Sequence, residues 1–201
     1  CYQRDQKKCI LTKSGEPIKV AHIYPFSMRH EDKNVKQTVP FWRVLEMFWS
    51  KERVDAWHSA VFPHGTEVCQ NLICLAPHAH AYWAQAYFAL KPIRISEDKK
   101  CLEVQLFWLL QNARRPTVQV QTVPSLAALD LGPNSVKLFD NQTNQLISSG
   151  SEISLTTDDP VLRPLPDMAL LEMQWFLHRI AAMSGAVEQP QDNFDDGDDD
   201  D

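Results

Sequence analysis

No two of the five cysteines (Cys1, Cys9, Cys69, Cys74 and Cys101) stand in a C-x-x-C pair. An odd number without a repeating spacing argues against a disulfide framework and against a four-cysteine zinc site. A reducing, intracellular setting is the default for such a chain. No apolar run approaches the roughly 20 residues that a membrane span needs. The polar start from Cys1 to Lys8 has no apolar segment behind it, so no signal peptide is expected. The chain opens on Cys rather than Met, as a piece of a longer protein does. Internal repeats are absent, which excludes solenoid and propeller arrays.

A strong net basic charge is also missing. The formal charge is −6, but the tail from Gln191 to Asp201 holds seven Asp and no base. The remainder of the chain stands at +1, and unevenly. Residues 1–100 carry 15 Lys and Arg against 10 Asp and Glu, whereas residues 101–190 carry 5 against 9. A mildly basic front half is compatible with a phosphate-backbone partner, although an ordinary mixed surface is the simpler account of it. The acidic tail cannot form a core and is expected to be disordered.

What is present is the material of a globular fold. Of 201 residues, 44% are hydrophobic, with six Trp and nine Phe. Cys9–Thr12 with Gly15 behind them read as a short strand and turn. Ile18 to Tyr24 alternates, placing Ile18, Val20, His22 and Tyr24 on one strand face, and Pro25 ends it. Residues 27–40 read as a loop. Two helices follow: 41–49, with Phe41, Leu45 and Phe48 as its stripe, then one capped by Ser50 with Val54, Trp57 and Val61 inward. Val68 to Leu75 reads as extended, and Pro77 suits the first turn of a helix. His80, Trp83, Ala84 and Tyr87 share one face of that helix, and Pro92 closes the unit.

Beyond it the pattern turns to strands: 102–109, 118–123, 136–139 and 153–157. Arg163 to Gly185 reads as one long helix whose wide apolar stripe packs on the β segments. The expected organisation is α+β: a domain at 1–95, a β-rich and helical extension at 96–188 packed on it, and the acidic tail at 189–201.

Three residues stand where they can carry chemistry. His22 ends a strand, Asn71 opens the next extended piece, and His80 lies about one turn into the following helix. Folding strand, strand and helix together lets the three converge. A histidine of near-neutral pKa can take a proton from water, and that water can attack a phosphodiester. A divalent cation then stabilises the growing charge. His80 offers an imidazole to that cation, and Asn71 offers an amide oxygen to orient the base or to bind the metal. His78 competes with His80 but is offset from the inward face.

The order of these pieces resembles the HNH endonuclease family and its ββα-metal motif. The resemblance rests on Arg4-Asp5, Cys9-Ile10-Leu11-Thr12, Ala21-His22-Ile23-x-Pro25-Phe26-Ser27, Phe48-Trp49, Asn71-Leu72-Ile73-x-Leu75, His80-x-x-Trp83 and Phe88-Ala89-Leu90-Lys91-Pro92. The later runs Thr157-x-Asp159-Pro160, Pro164-Leu165-Pro166, Leu170–Trp175 and Met183–Ala186 are similar to the variety found in fungal proteins of uncharacterised function. The resemblance spans roughly residues 1–188. It implies an inserted-helix ββα-metal hairpin with His22 as general base, Asn71 as supporting residue and metal ligand, and His80 as metal ligand. It also implies a divalent ion, with Mg²⁺ favoured over Zn²⁺ or Mn²⁺, and DNA as substrate, acted on in the nucleus or cytoplasm.

The chain departs from the family pattern at Ala21 and Ala84, where many members place further ligands. A one-histidine, one-asparagine site suits Mg²⁺, which keeps its waters, better than Zn²⁺. A module of the same scaffold that has lost its metal and binds nucleic acid or protein is the alternative. An α+β protein unrelated to nucleases is the third reading.

Overall fold

In the computed structural model, residues 1–25, 41–62, 65–111 and 129–184 are described. Seven strands, four α-helices and two single-turn 3-10 helices are formed among them. A two-stranded antiparallel hairpin comes first, β1 (Lys19–His22) against β2 (Leu72–Leu75). Between these strands in sequence lie α1 (Phe41–Glu46) and α2 (Lys51–Val61). Helix α3 (Pro77–Ala84) follows β2 directly and packs on β1, β2 and the next strand. Then β3 (Phe88–Ile95), β4 (Cys101–Trp108) and β7 (Glu152–Thr156) form an antiparallel sheet in the order β3-β4-β7. The short hairpin β5 (Phe139–Asp140) and β6 (Gln145–Leu146) sits apart. Helix α4 (Met168–Ser184) closes the chain against β3 and α2. The protein is thus a mixture of helices and strands. No helix among the described residues is long and apolar enough to cross a membrane.

The register of the first hairpin decides where the chemistry falls. His22 stands opposite Leu72, and Lys19 opposite Leu75. Ala21, Ile23, Ile73, Cys74 and Leu75 are all buried, so this short ribbon is held by packing on both sides rather than by its few ladder bonds. Pro77 occupies the first turn of α3, where its missing N–H removes no helical bond. The His80 N–H reaches back to the Ala76 carbonyl at 2.8 Å.

Several expectations require correction. Cys9–Thr12 forms turns rather than a strand, with the Ile10 N–H donated to the Cys74 carbonyl at 2.9 Å. Helix α1 stops at Glu46, and Phe48 is 72% exposed, so the stripe of Phe41, Leu45 and Phe48 is inward only around Leu45. Pro92 does not close a unit but lies inside β3. It is tolerated there because β3 pairs with β4 alone, and a register shift falls between Pro92 and Arg94. An edge strand with a bulge can spare an N–H. Only Phe139 of the 136–139 segment is in a strand, and α4 begins at Met168 rather than Arg163. Its start is set by Asp167, whose Oδ1 accepts the N–H of Ala169 at 2.7 Å and of Leu170 at 3.2 Å, as an N-cap does. The expected loop at 27–40, the strand at 118–123, Gly185 and the acidic tail lie outside the described residues.

Front and back of the chain share one core. A single cluster of buried residues runs from Cys9 through Trp57, Ile73, Leu90 and Leu106 to Met173. The anticipated division at 95/96 falls at the turn of the β3–β4 hairpin. Arg4 sits behind β2 and joins the two ends of the chain. Its guanidinium donates to Asp5 at 2.7 and 3.0 Å and to the carbonyls of Cys69, Leu72 and Pro164 at 2.8, 2.7 and 3.1 Å. Asp5 in turn accepts the Cys74 N–H at 3.0 Å. A buried ion pair with its remaining hydrogen-bonding capacity so used is a cross-tie, not a stranded charge.

Candidate active site

His22 ends β1 at the open end of the hairpin. Its carbonyl accepts the indole N–H of Trp83, on α3, at 3.0 Å. Its ring Nε2 lies 2.6 Å from Glu67 Oε1. The ring is partly exposed and the carboxylate mostly so, and solvent therefore reaches both.

Asn71 is 2% exposed. Its Oδ1 accepts the Tyr24 N–H at 2.7 Å, and its Nδ2 donates to the carbonyls of Tyr24 at 3.1 Å and Thr66 at 2.9 Å. Its own carbonyl accepts the Ile23 N–H at 2.8 Å. The role of metal ligand expected for Asn71 thus meets a buried amide already engaged at both ends with backbone. What the side chain does is pin the chain leaving β1 to the chain entering β2, beside His22.

His80 is half-buried on α3. Its imidazole bonds the Val20 carbonyl, two residues before His22, and burial together with the nearby charges of Lys19 and His22 holds its pKa below the usual histidine value. It is therefore neutral at neutral pH, and a neutral imidazole keeps one lone pair, the form in which histidine can bind a metal. His78, the competitor, is exposed and stands edge-on to the Tyr82 ring at 6.2 Å. Ala21 is 2% exposed, inside the core, and Ala84 is the exposed last residue of α3.

Three of the anticipated residues thus gather around one hairpin end, with different duties. Asn71 is structural in its contacts, His22 faces solvent beside a carboxylate, and His80 touches β1 within range of the His22 charge. For a divalent ion the donor set is sparse. Among the described residues no group of three or more His, Cys, Asp or Glu could hold one. The hairpin end offers the imidazole of His80 and, against His22, the carboxylate of Glu67, so an ion there would take most of its ligands from water and phosphate oxygens.

Glu67 was not anticipated from the sequence. The signal for it is nevertheless there: from Ala56 to Leu90 it is the only Asp, Glu, Lys or Arg. A lone carboxylate in so long an uncharged stretch is conspicuous, and the β1–β2 register brings the segment before β2 alongside His22.

The antiparallel hairpin and the helix that follows it carry His22 on β1, Asn71 at the entry to β2 and His80 on α3. The family model described as HNH endonuclease matches residues 9–91, from the turn before β1 into β3. Over these residues, fewer than half of the 201, the chain is similar to that family. No curated protein and no solved structure matches the chain.

Proposed function

We propose that the protein is a metal-dependent HNH-type endonuclease that hydrolyses phosphodiester bonds in DNA. The reading is supported above all by the packing of α3, which carries His80, on β1, which ends at His22, inside the segment that matches the family. His22 acts as general base, taking a proton from the attacking water. With Nε2–H turned to Glu67, the lone pair that receives this proton is on Nδ1. Asn71 does not touch the reacting atoms. It holds the backbone on which His22 sits, through the bonds to Tyr24. Lys19, beside His80, contributes positive charge on the approach side of the phosphate. His80 would hold the divalent ion, whose chemistry is to stabilise charge growing on the phosphate and the leaving oxygen. With DNA as the substrate, we infer an intracellular site of action, in the nucleus or cytoplasm.

The second reading, a degenerate module that binds nucleic acid or protein, is favoured by Ala21 and Ala84, which supply no ligand where family members often do. Nicking of supercoiled plasmid in Mg²⁺ or Mn²⁺, with His22→Ala and His80→Ala as controls, separates the two. The nuclease reading expects cleavage by the native protein and loss in both variants. Equal cleavage in all three proteins, or none by the native protein, sinks it. Plasmid retention without cleavage selects the binding module.

A further inference from the structure

We propose that Glu67 is a positioning residue for His22, and that the two form a histidine–carboxylate dyad assembled by Asn71. The inference rests on the nuclease reading for its catalytic consequence, but not for its structural content.

The first observation is the 2.6 Å contact between His22 Nε2 and Glu67 Oε1. A neutral imidazole has one N–H and one lone pair, and a carboxylate facing one nitrogen decides which is which. Glu67 accepts, so Nε2 keeps the proton and Nδ1 is basic. When Nδ1 takes a second proton from water, the carboxylate faces the cation that results and stabilises it. Glu67 itself gains no proton in the step.

The second observation explains why an exposed pair can hold its geometry. Exposed ion pairs normally contribute little, because two mobile side chains must be ordered to make them. Here the two backbones are fixed independently of the pair. Asn71 Nδ2 donates both to Tyr24, two residues beyond His22, and to Thr66, the residue before Glu67. One buried amide therefore sets the separation of the two segments that carry the dyad. The Trp83 indole fixes the His22 carbonyl from the other side at 3.0 Å. Only the side-chain torsions of His22 and Glu67 remain to be ordered.

The third observation is compositional. A carboxylate on a face that receives DNA opposes phosphate binding, and the chain from Ala56 to Leu90 carries no other charge. A charge placed against the electrostatics of the substrate, and in hydrogen-bond contact with the base, is accounted for by the base.

The test uses the full chain and two readouts. In ¹⁵N-resolved NMR of the imidazoles, at a pH where the rings are neutral, the native protein shows His22 as the Nε2–H tautomer. Glu67→Ala shows a mixture, and Glu67→Asp or Glu67→Gln, which retain an acceptor, restore much of the Nε2–H form. In steady-state cleavage, Glu67→Ala lowers kcat by about 10²-fold, as loss of orientation does, with KM nearly unchanged. An unchanged tautomer in Glu67→Ala overturns the dyad. A KM that falls while kcat holds also overturns it, for then Glu67 is merely a charge in the path of DNA. If the native protein cleaves nothing, the nuclease reading fails by itself, and the tautomer measurement still decides the dyad.

Discussion

Asn71 and Tyr24 are bonded amide to backbone in both directions: Oδ1 accepts the Tyr24 N–H at 2.7 Å, and Nδ2 donates to the Tyr24 carbonyl at 3.1 Å. With Thr66 as a third partner, the side chain replaces a missing rung beyond the last pair of the β1–β2 ladder. Asn71→Ala leaves these backbone groups buried and unpaired, at an expected cost of at least about 2 kcal/mol. Asn71→Asp keeps the acceptor for Tyr24 but turns a carboxylate oxygen toward two carbonyls, and is expected to cost no less. Urea denaturation of the two variants measures this. A loss below about 0.5 kcal/mol in both would show that the clamp is dispensable to the fold.

Arg4 and Asp5 are expected to be strongly non-additive. Both side chains are almost wholly buried, and Arg4 also ties the Cys69, Leu72 and Pro164 carbonyls together. Removing one partner strands the other charge, so Arg4→Ala and Asp5→Ala should each cost about 3–5 kcal/mol. The double variant should lose far less than the sum of the two. A double-mutant cycle by denaturation checks it, and additive losses would refute the coupling.

A half-buried histidine on α4 makes a pH prediction. His178 donates from Nδ1 to the Phe88 carbonyl at 3.0 Å and packs on the Trp83 ring at 4.7 Å, and burial pushes its pKa down to about 4. In the unfolded chain an ordinary histidine takes up its proton below about pH 6.5. Between these values the unfolded state binds a proton that the folded state refuses. Stability from this group is therefore complete above about pH 6.5 and is lost as pH falls toward 4, by about 3 kcal/mol in all. His178→Gln retains a donor for Phe88 and does not titrate. Its stability profile should be flatter across that window, with the remaining slope carrying the depressed His80 in the same sense. A profile as steep as that of the native protein would remove His178 as its source.

Gly132 is set against a wall. A methyl group added there would lie 2.6 Å from Cε3 of Trp108, whose indole N–H is committed to the Ile147 carbonyl at 2.9 Å. The ring is 3% exposed and has little room to retreat. Gly132→Ala should cost about 1–3 kcal/mol by overpacking and should alter the near-UV circular dichroism of the indole. A neutral substitution would mean that the 129–132 segment yields instead.

What could be read in the chain divides along physical lines. β1, α2 and α3 were legible because a strict period or a proline at the first turn marks them, and Val54, Trp57 and Val61 are indeed all inward. Strand β3 was missed because Pro92 reads as a breaker until one knows that its neighbour lies on one side only. Phe48 was placed inward because helical spacing continues past Glu46 while the backbone does not. The placing of His22 on a strand, Asn71 at the entry to the next and His80 on a helix was legible, because period and proline mark the elements that carry them. The contacts of Asn71 were not, since an asparagine able to ligate and one able to clamp a backbone are the same letter. Glu67 depends on a contact across 45 residues, which only the hairpin register brings within reach.

His80 separates the two functional readings most directly. Its pKa is depressed first by burial, then by the Lys19 and His22 charges, against a bond to the Val20 carbonyl that pulls the other way. The ring is thus neutral through neutral pH, and protons compete with a metal only in acid. If His80 holds the ion, low concentrations of Mn²⁺ should broaden its imidazole resonances before those of the exposed His78. The Mn²⁺ concentration needed for half-maximal cleavage should rise at least about tenfold in His80→Ala. His80→Asn, shorter and without a basic nitrogen, should not restore it. Equal broadening of His78 and His80, with an unchanged metal requirement in both variants, would leave His80 as a packing residue of the hairpin and shift the balance to the binding module.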